Sequence, residues 1–258
     1  MVGQSVPVLP GTLDSPRVRI VTLDHPWLWL LAGWRDLRKT PLASIAYGLV
    51  FVVMGFYLTS MVSHMFHMAL ALATGFLLVG PFLAMGLYDL SARLERGQPA
   101  TFWHAVTAWR GKGMTLALFG MMVGLIMIVW ARLSALLYAV LFLGRNIEVE
   151  HSVQALFFSG DGLRFLIAFT MVGAVLAALV FCISVVSIPM IMDRNCDFFT
   201  AIVTSLTAVR VNPGPMLLWA VLIVVITGVG LATFYLGLAI TLPLVGHATW
   251  HAYRDVVE

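Results

Sequence analysis

Between Arg210 and Arg254 the chain carries no Lys, Arg, Asp or Glu. Built as one straight helix, Val211 to Ala252 would extend about 60 Å, twice the roughly 30 Å thickness of a bilayer's hydrocarbon core. The stretch therefore has to cross a membrane twice. The turn between the two crossings is expected between Gly228 and Gly237, where three glycines permit tight geometry.

The rest of the chain obeys the same constraint. Pro41 to Ser63 lacks full charges and is long enough for one span, and Met65 to Tyr88 forms a second. Met114 to Gly144 is a third, interrupted by Arg132, and Phe165 to Met192 a fourth. With the double crossing this gives six spans. The composition agrees: 61% of the 258 residues are hydrophobic and 10% charged, against about 25% charged in soluble domains. The net charge of +3 is too small and too dispersed for nucleic-acid binding. Cys182 and Cys196 fit neither a disulfide framework nor a zinc site. Residues 1 to 23, with Pro7, Pro10 and Pro16 and no apolar core of leader length, read as a disordered cytoplasmic tail.

Basic residues set the orientation. Of the fifteen, only Arg132, Arg145 and Arg164 fall on the side opposite the termini. Both termini are therefore expected in the cytoplasm of a bacterial inner-membrane protein.

Three amphipathic stretches interrupt the apolar pattern, at 26 to 39, 99 to 110 and 197 to 210. The first, after Asp24 and Pro26, carries Trp27, Leu30, Leu31 and Trp34 at helical spacing and suits the headgroup region. In the second, Phe102, Val106 and Trp109 oppose Thr101, His104 and Ala108. In the third, Phe198, Phe199, Ile202, Leu206 and Val209 are expected on lipid or neighbouring spans, with Thr200, Thr204 and Thr207 facing the cytoplasm. Arg35, Arg110 and Arg210 close the three stretches, and Pro81, Pro189 and Pro243 fall in the three inward spans. This common order reads as three parallel helical hairpins, pseudo-repeats of about 24–96, 97–194 and 195–258 within a single membrane domain. A local echo, Ala100-Thr-Phe-Trp-His-Ala105 against Ala248-Thr-Trp-His-Ala252, supports common ancestry. The expected fold is thus all-α, with six transmembrane helices.

Several stretches resemble an uncharacterised proteobacterial family of six-span integral membrane proteins, a domain of unknown function. They are Leu23 to Trp27 with Gly33 to Arg38, Gly80 to Tyr88, Asn212 to Trp219, and Thr241 to His251. The resemblance implies a membrane fold and no established activity.

Few residues suggest chemistry. His64, Met65, His67 and Met68 combine imidazole and thioether donors that suit copper, although a methionine-rich interfacial turn explains them more simply. His247 and His251, four apart, could face a haem, or serve structure at a span end. Arg132 sits close enough to the outer interface to snorkel. Asp89 and Asp193 are placed to pair with Arg35, Arg110 or Arg210 and tie repeats together. No phosphate-binding glycine loop, nucleophile elbow or intramembrane carboxylate pair is present in the sequence. The chain reads as a non-enzymatic accessory or scaffold subunit, in contact with the bilayer and with a membrane-protein partner or a second copy. A small-molecule or ion carrier, and copper or haem handling, are the alternatives.

Overall fold

A computed structural model describes residues 5–7, 16–60, 80–110, 112–142, 159–194 and 196–258. Two short strands, β1 (Ser5–Pro7) and β2 (Arg17–Arg19), pair antiparallel. The helices are α1 (His25–Lys39), α2 (Pro41–Ser60), α3 (Gly80–Leu83), α4 (Met85–Glu95), α5 (Phe102–Thr107) and α6 (Gly113–Phe142). They continue with α7 (Gly160–Ser184), α8 (Ser187–Asp193), α9 (Phe198–Val211), α10 (Pro213–Ala232) and α11 (Leu238–Val256). The chain forms two compact units. One contains Met1–Val53, Pro81–Phe119 and Phe181–Glu258, the other Met54–Gly80 and Gly120–Val180.

The first unit is assembled around α11. Twelve of its nineteen residues are buried, and it packs against α1, α4, α8 and α10. A helix enclosed by protein needs polar side chains to satisfy its neighbours, which explains how α11 holds His247, Thr249, His251 and Tyr253 within an uncharged stretch. Its crossing with α1 is close: a Cβ on Gly33 would lie 2.6 Å from the Ala248 nitrogen. Between α1 and α2 the chain bends by 105°. Pro41 lacks a backbone donor and drives the preceding residue out of the helical region, and Thr40 sits at φ −126° and ψ 52°.

In the second unit, α6 and α7 pack on Trp130, Phe165, Phe169 and Val180. Tyr138 meets Phe165 at 6.1 Å and Trp130 meets Phe169 at 4.7 Å, so the two helices run antiparallel. Their other faces carry exposed Leu125, Ile128, Ile167, Met171 and Val175. In water such a surface would be unfavourable at about 25 cal/mol per Å²; in lipid it is at home.

Among the described residues, three helices are long and apolar enough to cross a membrane: Gly113–Leu141, Gly160–Asp193 and Pro213–Ala232. The bent pair α1–α2 raises the number to four. The sequence's second span lies mostly among residues not described, and α11 is less apolar because it is enclosed by protein.

Several expectations need correction. Residues 17–23 are not a disordered tail. Val18 is fully buried and bridges Val257, and the Val21 amide donates to Asn212 Oδ1 at 2.8 Å. The turn after α10 falls where the glycines suggested, but Phe234 and Tyr235 take the positive φ angles, 52° and 67°. Gly230 and Gly237 instead allow close approach: a Cβ on Gly230 would lie 2.3 Å from Thr241 Oγ1, and one on Gly237 2.9 Å from Gly230 Cα.

On α9 the threonine face departs from expectation at Thr204, which is buried. The buried residues of the helix are Ala201, Thr204, Ser205 and Ala208, while Phe199 and Leu206 are exposed. Small side chains let this helix approach the α8 region closely, and large apolar ones turn outward. On α5 Ala105 is buried while Val106 is exposed, and Trp109, just after the helix, is exposed as well.

The prolines do not make one uniform break. Pro81 lies in α3, ahead of the interruption at Ala84; Pro189 lies in α8, after the interruption at 185–186; Pro243 lies inside continuous α11. At the interruptions beside the first two prolines, side chains from neighbouring helices meet the freed backbone groups. Tyr47 donates to the Leu83 carbonyl at 2.7 Å. Ser205 Oγ accepts from the Val186 amide and donates to the Cys182 carbonyl. Pro243 cannot donate to the Ala239 carbonyl four residues back, and Gly48 packs on that carbonyl, where a Cβ would lie 2.5 Å from the oxygen.

Candidate functional site

The polar interior of the first unit is a closed ring of side chains. Asp36 comes from α1, Thr40 from the bend, Ser44 from α2, Ser91 from α4, and His247 and His251 from α11. Ser91 Oγ donates to Asp36 Oδ2 at 2.8 Å and lies 2.7 Å from His247 Nδ1. His247 Nε2 is 2.9 Å from Ser44 Oγ, which is 3.1 Å from Thr40 Oγ1. Thr40 Oγ1 returns to the Asp36 carbonyl at 3.0 Å. His251 Nε2 approaches Asp36 Oδ2 at 2.8 Å from a partly open position.

Proton counting fixes the hydrogen-bond directions. Ser91 gives its single hydrogen to the carboxylate, so it can only accept from His247, and Nδ1 carries a hydrogen. With one ring hydrogen, His247 accepts at Nε2 from Ser44, and the single Thr40 hydrogen goes to Ser44 or to the Asp36 carbonyl, not to both. With two, the Ser44 and Thr40 hydroxyls rotate and donate onward to the Asp36 carbonyl. Both arrangements satisfy every hydroxyl, which is what a buried polar network requires.

The ring does not match a nucleophilic triad. Ser44 meets the imidazole, but the opposite nitrogen meets Ser91, with the carboxylate one group further away. Ser44, Ser91 and His247 are each fully buried. For a haem or copper at His247, both ring nitrogens are already engaged, and His251 turns to Asp36, so the two histidines serve the ring.

Beyond the ring, the C-terminal end of α11 gathers ionic contacts. Asp193 meets Arg96 at 2.8 Å, Tyr253 at 2.8 Å and Arg254 at 3.4 Å. Glu95 accepts from Arg254 and from Trp250 Nε1. Asp255 meets His25, Trp29 and Arg19. Asp193 therefore does tie distant segments together, but through Arg96 and Arg254. Asp89 pairs locally with Arg93 at 2.6 Å. Arg35, Arg110 and Arg210 do not take these positions and are exposed. Arg132 is exposed on α6. His64, Met65, His67 and Met68 lie outside the described residues.

An opening of about 340 Å³ lies at the start of α6 between Lys112, Thr115, Arg194, Cys196 and Asp197. Asp197 caps α9, accepting from the Thr200 amide at 3.0 Å and from its hydroxyl. The Thr200 hydroxyl bond, above all, holds the Asp197 carboxyl below its usual range. Burial pushes the Cys196 thiol up, away from reactivity.

The sequence pointed to His247 and His251 but not to their partners. Asp36, Ser44 and Ser91 look like ordinary polar residues at helix ends, and only the packing of α1, α2 and α4 on α11 brings them together. Asn212 was equally silent: its side chain joins the α9–α10 corner to the Arg19 carbonyl and the Val21 amide.

These helices and their outward apolar faces define an integral membrane protein. Residues 68–193 match the model of the family described as predicted integral membrane protein (DUF2189), whose function is unknown. That agrees with the resemblance drawn from the sequence; of the stretches that carried it, Gly80 to Tyr88 lies inside the match and the others outside. No curated protein and no solved structure matches the chain.

Proposed function

We propose that the protein is a non-enzymatic accessory or scaffold subunit of a bacterial inner-membrane assembly, with six spans arranged as three hairpins and both termini cytoplasmic. The observation that carries this reading is the outward face of α7. There Ala174, Ala177 and Ala178 are exposed beside Met171 and Val175. Small residues four apart let another membrane helix approach closely, and lipid alone does not require them. The fully buried ring around His247 supports the same reading, because it satisfies its own groups and holds α1, α2, α4 and α11 as one body.

Purification in a mild detergent, followed by identification of co-purifying chains, tests this. A stoichiometric membrane-protein partner or a homo-oligomer is expected, and Ala174→Leu with Ala178→Leu should release it. A monomer without partners, whose behaviour these substitutions leave unchanged, would overturn the proposal.

A further inference from the structure

Some basic residues of the first unit are paired with carboxylates, and others, Arg38 and Lys39 among them, are exposed without an ion-pair partner among the described residues. Arg19, Arg96, Arg194 and Arg254 are paired with carboxylates. Arg35, Arg110 and Arg210 are exposed, with no carboxylate among the described residues in ion-pair contact with them. All three lie beside large apolar side chains that point outward: Trp34 beside Arg35, Trp109 beside Arg110, and Leu206 one turn before Arg210.

They also belong to one end of the unit. Arg35 precedes Asp36, which holds His251. Arg110 is two residues before Lys112, whose ammonium donates to the Arg194 carbonyl, and Arg194 bonds Tyr253. Arg210 precedes Asn212, which holds Arg19, and Arg19 bonds Asp255. Each chain of contacts ends on residues 251 to 255 of α11. Arg110 and Arg210 stand three residues before the apolar helices α6 and α10, and Arg35 stands on the last turns of α1, six residues before α2.

From this arrangement we infer that Arg35, Arg110 and Arg210 form a collar that binds the phosphates of anionic lipid headgroups, with the Trp34 and Trp109 rings seated at the same depth. Exposed indoles favour the membrane–water boundary. A guanidinium there, lacking a protein carboxylate, is complementary to a lipid phosphate, which it can engage through two hydrogen bonds. The inference is independent of the proposed scaffold role: a subunit, a carrier or a solitary protein could each wear such a collar.

The test uses the full chain in mixed micelles of phosphatidylglycerol and phosphatidylcholine, read by native mass spectrometry. The wild type should retain phosphatidylglycerol preferentially. At about fivefold per basic residue near the surface, the variant Arg35→Gln, Arg110→Gln, Arg210→Gln should lose on the order of a hundredfold in that preference. Its thermal midpoint in zwitterionic detergent should stay unchanged, separating lipid binding from folding. The triple lysine variant should keep most of the preference, and Arg164→Gln, on α7, all of it. No preference in the wild type, an unaltered preference in the glutamine variant, or its loss in the lysine variant would overturn the inference. So would displacement of the lipid by millimolar inorganic phosphate, which would make the site one for free anions.

Discussion

His247 shows how much one residue can hold. Its ring meets Ser44 and Ser91 in a site closed to solvent. Replacing it by leucine fills similar space but removes one buried hydrogen bond each from Ser44 and Ser91, each worth about 0.5–1.5 kcal/mol. His247→Leu should therefore lower the thermal midpoint in detergent sharply. His251→Gln, at a partly open position, should lower it much less, because water can take over the contact to Asp36. Equal effects would mean that the ring is not what stabilises this region. Asp197 gives a residue-scale prediction with a pH sign. Its carboxyl is held below the usual 3.8 by the Thr200 hydroxyl and amide. The charged form is thus favoured in the folded state. Its stabilisation is present above about pH 4 and disappears as pH falls through the lowered value. Asp197→Ala should cost about 1 kcal/mol at neutral pH. The gap between the variant and the wild type should close in acid, as read from paired unfolding midpoints.

For the helices, what decides orientation is the size of the side chain, and hydropathy alone misled. On α9 the sequence invites a reading with large apolar residues on lipid or neighbouring spans and all three threonines facing the cytoplasm. The fold turns Ala201, Thr204 and Ala208 inward, because a helix pressed against α8 needs a thin face, and lipid accepts Phe199 and Leu206 on the other side. Thr204 is reconciled to burial by donating to the Thr200 carbonyl at 2.7 Å, a bond available to threonine in any helix. Ala208→Leu should consequently cost about 1–3 kcal/mol by overpacking, while Phe199→Leu should be nearly neutral. The comparison is made by thermal stability and by yield of monodisperse protein. If both are tolerated alike, the thin face is not in close contact. What was legible in the sequence follows the same division. The α6, α7 and α10 spans could be read directly, since uncharged length has one physical meaning. The corner at Asn212 and the ring around His247 could not, since each depends on partners roughly 150 to 200 residues away, and a hydroxyl at a helix end carries no sign of what will reach it.

At the scale of the molecule, the C-terminal end of α11 is the point on which distant segments converge, and it carries a topological prediction. Glu95, Asp193 and Arg194, and Arg19 near the N-terminus, all make contacts to residues 253 to 258, and Arg96 joins them through Asp193. Ion pairs between these segments require that they emerge on one side of a membrane, whichever side that is. On the topology proposed above, the excess of arginine and lysine there predicts that this side is the cytoplasm. Reporter fusions at Gly97 and after Glu258 should accordingly both report cytoplasm, and a fusion at Ser159, after α6 and before α7, should report the opposite compartment. The ion pairs add a consequence that charge counting alone does not supply. Arg254→Glu places a carboxylate among Glu95 and Asp193, so it should lower stability in detergent without moving any fusion across the membrane. Restoring the pair with Glu95→Arg in the same chain should recover part of the loss. The recovery is expected to be modest, because both side chains are partly exposed and such pairs contribute roughly 0–1 kcal/mol. Fusions at Gly97 and the C-terminus that report opposite compartments would be incompatible with these contacts and would require a different pairing of α4 with α11.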